Sequence, residues 1–469
     1  MIVFLDEALM SFRRCFSRKL AFHWFVIAIM GFIVRGDNLG IISFIRELNL
    51  DPKFYVTFLH FFRSSAWNLE TLTMQWITLV TESVTIQKVD GMNILIADGV
   101  KQSKEGRKMP RVKKLHQESE NSSKPEYIFG HMFGVVGILA GNQSKLFCIA
   151  LSASVQDGVS KIREFVDPTA LSVSHVVQVI TQAGKIATQI GPSLILLDRY
   201  FLSVPALKKA MEFVDGLGNP LLQIVTKAKK SAVAYAMPPA YSGRGPHPKK
   251  GYSIKLKNLF EIEKTSFVTA KVFLYGELQE VSYYSVDLLW GQKYYRKLRF
   301  VLVAYNGVHS ILVSTSLALC PLKIIELYGY RFKIEVGFKE LKQTIGAFAY
   351  HFWSKSMPRL NKYVLAAITN HGARENLVKT LKATEGYVCM AMIAMGLLQI
   401  ISLKFSKELN SSSFRWLRTK TNEIVSEATV AYFFRKNIYR IIEKHHHLHI
   451  MRIIMTVQNE DPTDNGVAA

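Results

Sequence analysis

The spacing of apolar and polar positions divides the chain into a helical start, a strand-rich middle and a helical end. Residues 1–88 carry apolar side chains at helical spacing. Asn49-Leu50-Asp51-Pro52 interrupts them as a turn in which Asp51 can cap a helix and Pro52 can open it. The flanking segments 40–48 and 53–62 predict two short helices in tight succession, the outline of a helix-turn-helix. From Met92 the period shortens. MNILIAD (92–98), YIFGHMFGVVGIL (127–139) and KLFCIALS (145–152) predict strands, the last two separated by Gly141-Asn142. A helical stretch over 172–189, the apolar run PSLILLDRY (192–200), a helix over 203–214 and the run LLQIVTKA (221–228) follow.

Consecutive strands followed by helix-separated strands predict an α/β fold, a mixed sheet with flanking helices, in the order of a ribonuclease-H-like catalytic core. Its first part occupies 89–237. Residues 238–256 (PPAYSGRGPHPKKGYSIKL) mark a boundary, and alternating runs at 265–276, 280–290, 297–306 and 309–316 make 238–316 a small β-rich unit. Helical periodicity returns over Leu322–Phe348, which assigns 317–360 to the second part of the core. A helical region over 361–455 and a polar tail at 456–469, expected to be disordered, complete the chain.

Composition narrows the function. In 469 residues, 49% apolar content excludes wholesale disorder, and 59 Lys plus Arg against 36 Asp plus Glu give a net charge of +23. A pI near 9.7 points to a polyanionic partner, nucleic acid first and an anionic membrane surface second. Cys15, Cys148, Cys320 and Cys389 lie far apart, which argues against a thiolate zinc site and a disulfide framework and favours a reducing cytoplasm. The apolar runs Leu20–Val34 and Tyr387–Leu403 are shorter than the roughly 20 residues of a membrane span. They are expected to be buried helices, with no membrane partner.

The segment Leu327–Gly346 concentrates the chemistry. At 100° per residue, Tyr328, Arg331, Glu335 and Lys342 fall within about 60° of one another. Ile334, Phe338, Leu341 and Ile345 form a neighbouring apolar stripe. Alone, such a face reads as solvated and laced by an Arg331–Glu335 ion pair. Two further carboxylates change the weighing. Asp98 and Asp198 each follow a buried β-type run, where a carboxylate is costly unless paired or bound to a metal. Three hard oxygen donors suit Mg²⁺ or Mn²⁺, and two such ions about 4 Å apart can activate a hydroxyl and stabilise the leaving oxygen of a phosphodiester.

Beside Asp98, seven cations (Lys101, Lys104, Arg107, Lys108, Arg111, Lys113 and Lys114) face only Glu105 as a balancing acid, the composition of a DNA-backbone track. Gly243-Arg244-Gly245 and Lys249-Lys250 can extend it. HHHLH (445–449) offers His445 and His449 at helical spacing, with surface histidines the simpler reading. His116 and His131 flank the strands without an assigned role.

Tyr328, Arg331, Glu335 and Lys342 stand at the spacing Y-x2-R-x3-E-x6-K. This resembles the signature of bacterial cut-and-paste insertion-sequence transposases, the DDE superfamily in the branch named after insertion sequence four. DGVKQSKEGRKMPRVKKLHQES (98–119) and LLDRYF (196–201) resemble that branch's two Asp motifs. Residues 327–355 resemble its Glu motif, and GLLQ (396–399) and FRWLRT (414–419) its helical C-terminal region. The resemblance spans roughly residues 90–450. It implies a ribonuclease-H-like core interrupted by a β-rich insertion between Asp198 and Glu335. It further implies Asp98, Asp198 and Glu335 as ligands of two Mg²⁺ ions, with Mn²⁺ as a substitute. Tyr328, Arg331 and Lys342 would hold terminal phosphates and a hairpinned DNA end, which suits Arg as a bidentate grip and Lys as a point charge. The implied reaction is hydrolysis at the element end, hairpin formation, hairpin opening and strand transfer to target DNA. A flipped base needs an aromatic platform, for which Trp290 is the candidate, a sheet tryptophan being the plainer reading. The implied partners are double-stranded DNA (terminal inverted repeats and target) and a second copy of the chain, a homodimer on DNA, at the nucleoid of a bacterial cytoplasm. One position departs from the pattern: Ser316 stands where many relatives carry Asp. Two other readings share these residues: a catalytically reduced regulator that binds the ends, and a ribonuclease-H-like nuclease without strand transfer.

Overall fold

A computed structural model of the chain describes residues 1–106, 108–117, 125–142, 145–156, 174–240, 243, 246–357, 370–409 and 424–459. The helical start forms α1 (Ile2–Met10), α2 (Lys19–Val34), α3 (Ile41–Glu47), α4 (Phe54–Arg63) and α5 (Leu69–Ser83). Asn68 caps α5 by accepting from the Thr71 N–H at 2.8 Å. Asp51 accepts instead from the Lys53 N–H at 2.9 Å, in an Asx turn, so α4 opens at Phe54 and not at Pro52. The α3–α4 pair buries Phe44, Phe58, Phe61 and Phe62 and leaves Ile42, Tyr55 and Val56 exposed.

The middle of the chain forms one mixed sheet. Its strands are β1 (Lys88–Val89), β2 (Met92–Ser103), β3 (Lys113–His116), β4 (Tyr127–Asn142), β5 (Lys145–Val155), β6 (Ser193–Leu196) and β7 (Leu222–Lys227), then β8 (Val233–Tyr235), β9 (Ser253–Lys255), β10 (Val268–Leu274), β11 (Glu277–Trp290), β12 (Arg296–Tyr305) and β13 (Val308–Ser314). The order is β3-β4-β2-β6-β7-β13-β12-β11-β8-β9, with β5 on β4, β10 on β11 and β1 on β2. The β2–β6 and β6–β7 pairs are parallel. Parallel neighbours need crossovers, and α6 (His175–Ile190) and α7 (Val204–Met211) supply helical ones. Each has a serine cap, Ser174 or Ser203. β13 pairs antiparallel with β7, Val313 opposite Thr226, so the insertion's strands continue the core sheet instead of folding apart from it.

After the short α8 (Leu259–Ile262) and the sheet, α9 (Pro321–Gly329), a 3₁₀ turn over Tyr330–Phe332 and α10 (Lys333–Gln343) follow in line. The single helix expected over 327–346 is thus divided, and Tyr328 lies on α9, separated from Glu335 of α10 by the 3₁₀ turn. The end of the chain forms α11 (His371–Phe405), α12 (Glu427–Lys444) and α13 (His449–Asn459). The first apolar run is α2 and the second lies within α11. Residues His371–Glu408 are long and apolar enough to cross a membrane, yet 83% of the most apolar window is buried inside the fold. Trp76 shows how: its ring presses on Gly396 of α11 while its Nε1 donates to the Ala150 carbonyl of β5 at 2.9 Å. The helical start therefore wraps α11 onto the sheet. FRWLRT (414–419) and 460–469 lie outside the described residues.

Candidate active site

Strand register builds the site. Ile96 of β2 stands opposite Leu196 of β6, and Leu196 opposite Val225 of β7. Continuing both registers by two residues sets Asp98, Asp198 and Lys227 side by side, at the roughly 4.8 Å spacing of neighbouring strands. Leu95, Ile96, Ala97 and Leu194 through Leu197 are fully buried, so an apolar platform carries the two carboxylates. Asp98 is not a strand end, as its sequence predicts: β2 runs on to Ser103 because β4 keeps pairing with it, Asp98 opposite Val135 and Ser103 opposite Gly130. Asp198 lies two residues past the end of β6 at Leu196. Its backbone is still extended, and it precedes the turn Arg199–Phe201 without a side-chain capping bond. Its carbonyl accepts from Thr226 Oγ1 at 2.8 Å, leaving the carboxylate to the row.

Arg331, on the 3₁₀ turn, reaches down to this row. Its Nη1 donates to Asp98 Oδ2 at 3.0 Å and its Nη2 to Glu335 Oε1 one helical turn on. The guanidinium is 16% exposed, Asp98 25% and Glu335 55%, so the bridge spans from the sheet to solvent. Burial raises the Asp98 carboxyl above its ordinary value and the nearby Asp198 charge adds to this, against the Gly99 N–H (2.7 Å) and Arg331. Burial works against the Arg331 cation too, but Asp98, Tyr328, Glu335 and Asp198 together hold its pKa above the ordinary value. Tyr328 is pushed up by burial, with Asp198 and Asp98 adding to it and Arg331 opposing. Asp98, Asp198, Tyr328, Arg331 and Glu335, remote in sequence, therefore share one electrostatic neighbourhood. Lys342 lies farther along α10, where its Nζ donates to the Lys101 carbonyl at 3.2 Å.

The expected cation track divides. Lys104 turns inward: its Nζ donates to the carbonyls of Phe348 (2.5 Å) and Tyr350 (2.9 Å) and lies 3.7 Å from the Tyr350 ring centre, and burial pulls its pKa down to about 7. Arg111 donates to the Val155 carbonyl at 3.0 Å and stands 3.8 Å from Glu385. Both serve the fold because their carbonyl partners sit beneath the loop, which no local pattern encodes. Lys101 donates to the His116 carbonyl at 2.7 Å. Lys113 is half-buried, while Lys108 and Lys114 are exposed, Lys114 lying 4.0 Å from the Tyr127 ring centre. Arg107 and Arg244 lie outside the described residues. A cavity of about 890 Å³ opens here, with Lys104, Lys108, Lys342, His351 and Trp353 in its wall.

Trp290 ends β11 half-buried and lines a second cavity of about 360 Å³ with Arg199, Leu202, Lys229 and Tyr235. Arg199, in that wall, follows Asp198 directly in the chain. His131, His445 and His449 lie elsewhere, whereas His175 of α6 packs beside Gly99, the residue after Asp98. His131 is buried between Tyr350 Oη and the Pro110 carbonyl, each at 2.7 Å, and burial holds its pKa near 4. His445 ends α12 and His449 starts α13 on Asp6, so the two do not share a helix face.

Asp98 and Asp198 offer the oxygen donors that a hard divalent cation prefers. Glu335 is turned to Arg331. Among the described residues, no three His, Cys, Asp or Glu side chains stand together as a metal-holding group. The donor chemistry of the Asp pair is that of an Mg²⁺ site, and in this arrangement Arg331 occupies Asp98 Oδ2 as well as Glu335 Oε1. Further neighbours of the row escaped the sequence reading. Lys227 and Arg199 both lie near Asp198, and with burial as the main cause Lys227 is held below its ordinary pKa. The strand run 221–228 followed by its parallel register was the signal for Lys227. Comparison with family models, with curated proteins and with solved structures finds no match to this chain.

Proposed function

We propose that this chain is a metal-dependent DNA transposase of the DDE type, with a ribonuclease-H-like core. The observation that carries the reading is that Asp98 and Asp198 each stand two residues past the paired Ile96 and Leu196 of adjacent parallel strands, with Arg331 linking Asp98 to Glu335. Strand order β5-β4-β2-β6-β7, antiparallel in the first two pairs and parallel in the last two, is the order such a core has. The basic surface and the spacing Y-x2-R-x3-E-x6-K point the same way.

Asp98, Asp198 and Glu335 would hold two Mg²⁺ ions, which supply a Lewis acid for the phosphodiester and lower the pKa of the attacking hydroxyl. Tyr328, Arg331 and Lys342 bind and orient the phosphates of the DNA end. Arg331 makes this exchange possible: a phosphate can take over its guanidinium, which frees the carboxylates it bridges. Lys108, Lys113 and Lys114 neutralise the DNA backbone beside β2. Trp290, with Arg199 in the same wall, offers a stacking face next to the reacting strand.

The test is incubation of the purified chain with Mg²⁺ and DNA ends from its own locus, followed by sizing of the products. Nicked and hairpin ends are expected. Asp98→Ala should abolish both while end binding persists. Loss of binding and cutting together would contradict the ligand role. Cleavage without strand transfer would favour the nuclease reading, and binding without cleavage by the native chain the regulator.

A further inference from the structure

Arg35, at the end of α2, is 1% exposed, yet among the described residues no carboxylate pairs with it. Its Nη1 donates to Tyr387 Oη of α11 at 2.9 Å, and its Nη2 to the carbonyls of Ile345 and Gly346, just past the end of α10. The rings of Phe32 and Phe44 lie 4.9 Å and 5.5 Å from the guanidinium carbon. A buried cation is costly. This one is offset by the partial negative charge of the α10 C-terminus, by the two aromatic faces and by the phenol. Gly346 fits the arrangement independently. Its φ is +59°, and a Cβ there would collide with Arg35 Nη2 and Asn38 Oδ1. The grip continues outward: Arg435 of α12 donates to the carbonyls of Val34 (3.1 Å) and Arg35, fixing the backbone from which the guanidinium extends.

We infer that Arg35 is a positioning residue for Glu335: it fixes the far end of α10 to α2 and α11, and so ties the placement of Glu335 to the N-terminal helices. An α-helix transmits an axial restraint well, because its hydrogen-bonded turns resist stretching. Residues 1–88 and the carboxylate row then share a mechanical link, and a load on the helical start reaches Glu335 through Arg35. The link to catalysis rests on the function proposed above; the restraint on α10 does not.

Hydrogen exchange read by mass spectrometry tests the restraint. In the native chain, amides of 344–347 should exchange about as slowly as those around Tyr387, which the same guanidinium holds. Fast exchange there overturns the inference outright. Arg35→Met should speed exchange over 340–347 by about tenfold or more, with β2 and β6 unchanged. Arg35→Lys, which keeps the cation and loses the fork, should fall between. Gly346→Ala strikes the same contact from the α10 side and should give the same local pattern if Arg35→Met does not fold. Unchanged exchange at 340–347, or an equal rise over the whole sheet, overturns the assignment. On end DNA, Arg35→Met should lower turnover at saturating substrate about tenfold while DNA affinity changes less than about twofold. Equal loss of both counts against a positioning role. A native chain that cuts no DNA removes the proposed function, while the exchange experiment still decides the restraint.

Discussion

Replacing Asp98 by Asn should remove cleavage and leave the protein as stable as the native chain, or more so. The starting point is the parallel register that ends at Ile96 and Leu196, two residues short of Asp98 and Asp198. Two carboxylates held at the spacing of neighbouring strands, about 5 Å, would repel by about 3 kcal/mol at an effective dielectric of 20. Asp98 is 25% exposed, and solvent screening reduces this to about 1–2 kcal/mol. Against it stand the Arg331 ion pair on Oδ2 and the Gly99 N–H bond on Oδ1, of which the amide's single acceptor oxygen keeps one, so the loss is about 1 kcal/mol. The net expectation is a gain of 0 to about 1 kcal/mol. The pH dependence has the same sign. Burial raises the folded carboxyl above its ordinary value of 3.8, so the stability linked to Asp98 is fully present below 3.8 and lost as pH rises through the folded value. At neutral pH the charge is a net cost that Asn removes. A bound cation relieves the same repulsion. About 10 mM Mg²⁺ acting at a dissociation constant near 1 mM should stabilise the native chain by about 1.4 kcal/mol. Urea denaturation with and without Mg²⁺ reads both effects. A loss above about 2 kcal/mol in Asp98→Asn, or equal Mg²⁺ stabilisation of the variant and the native chain, refutes the reasoning.

Further outcomes follow from other parts of the site. With Lys104 held near pH 7 by burial against an ordinary 10.5, stability should rise between those limits, since the unfolded chain there binds the extra proton. Lys104→Met should flatten that rise in pH-dependent urea melts, and an unchanged slope argues against the inward lysine. Trp290→Ala should slow hairpin formation about tenfold or more while first-strand nicking stays near native in product-sizing assays, as expected for loss of one stacked base. Equal slowing of both steps counts against a platform. Lys108→Ala and Lys114→Ala should each lower the slope of log affinity against log salt by about one in DNA-binding titrations. Lys104→Ala should leave that slope unchanged.

Periodicity carried the mixed sheet and its order of elements, because buried strands and amphipathic helices write their spacing into the chain. The runs ending in Asp98 and Asp198 were legible for that reason. The continuation of β2 to Ser103 was not, since it depends on pairing with β4 and not on residues 99–103 themselves. The single helix carrying Tyr328 through Lys342 divided at Tyr330–Phe332, yet the Arg331–Glu335 pair survived because it needs only one local turn. The fate of the basic loop was hidden for a different reason. Lys104 and Arg111 find partners at Phe348, Tyr350, Val155 and Glu385, all distant in sequence, and only the fold decides which cations turn inward. Arg35 looks like a surface residue at the end of an apolar run, and its burial follows from Gly346 leaving space for it.

Anomalous diffraction from crystals of the native chain soaked in Mn²⁺ tests the central claim most directly. Manganese density should lie about 2.1–2.3 Å from carboxylate oxygens of both Asp98 and Asp198, with Arg331 displaced from Glu335 and Glu335 turned toward the ion. Full Mn²⁺ exposure that leaves no density between the two aspartates, with Arg331 still bridging Asp98 and Glu335, would contradict it.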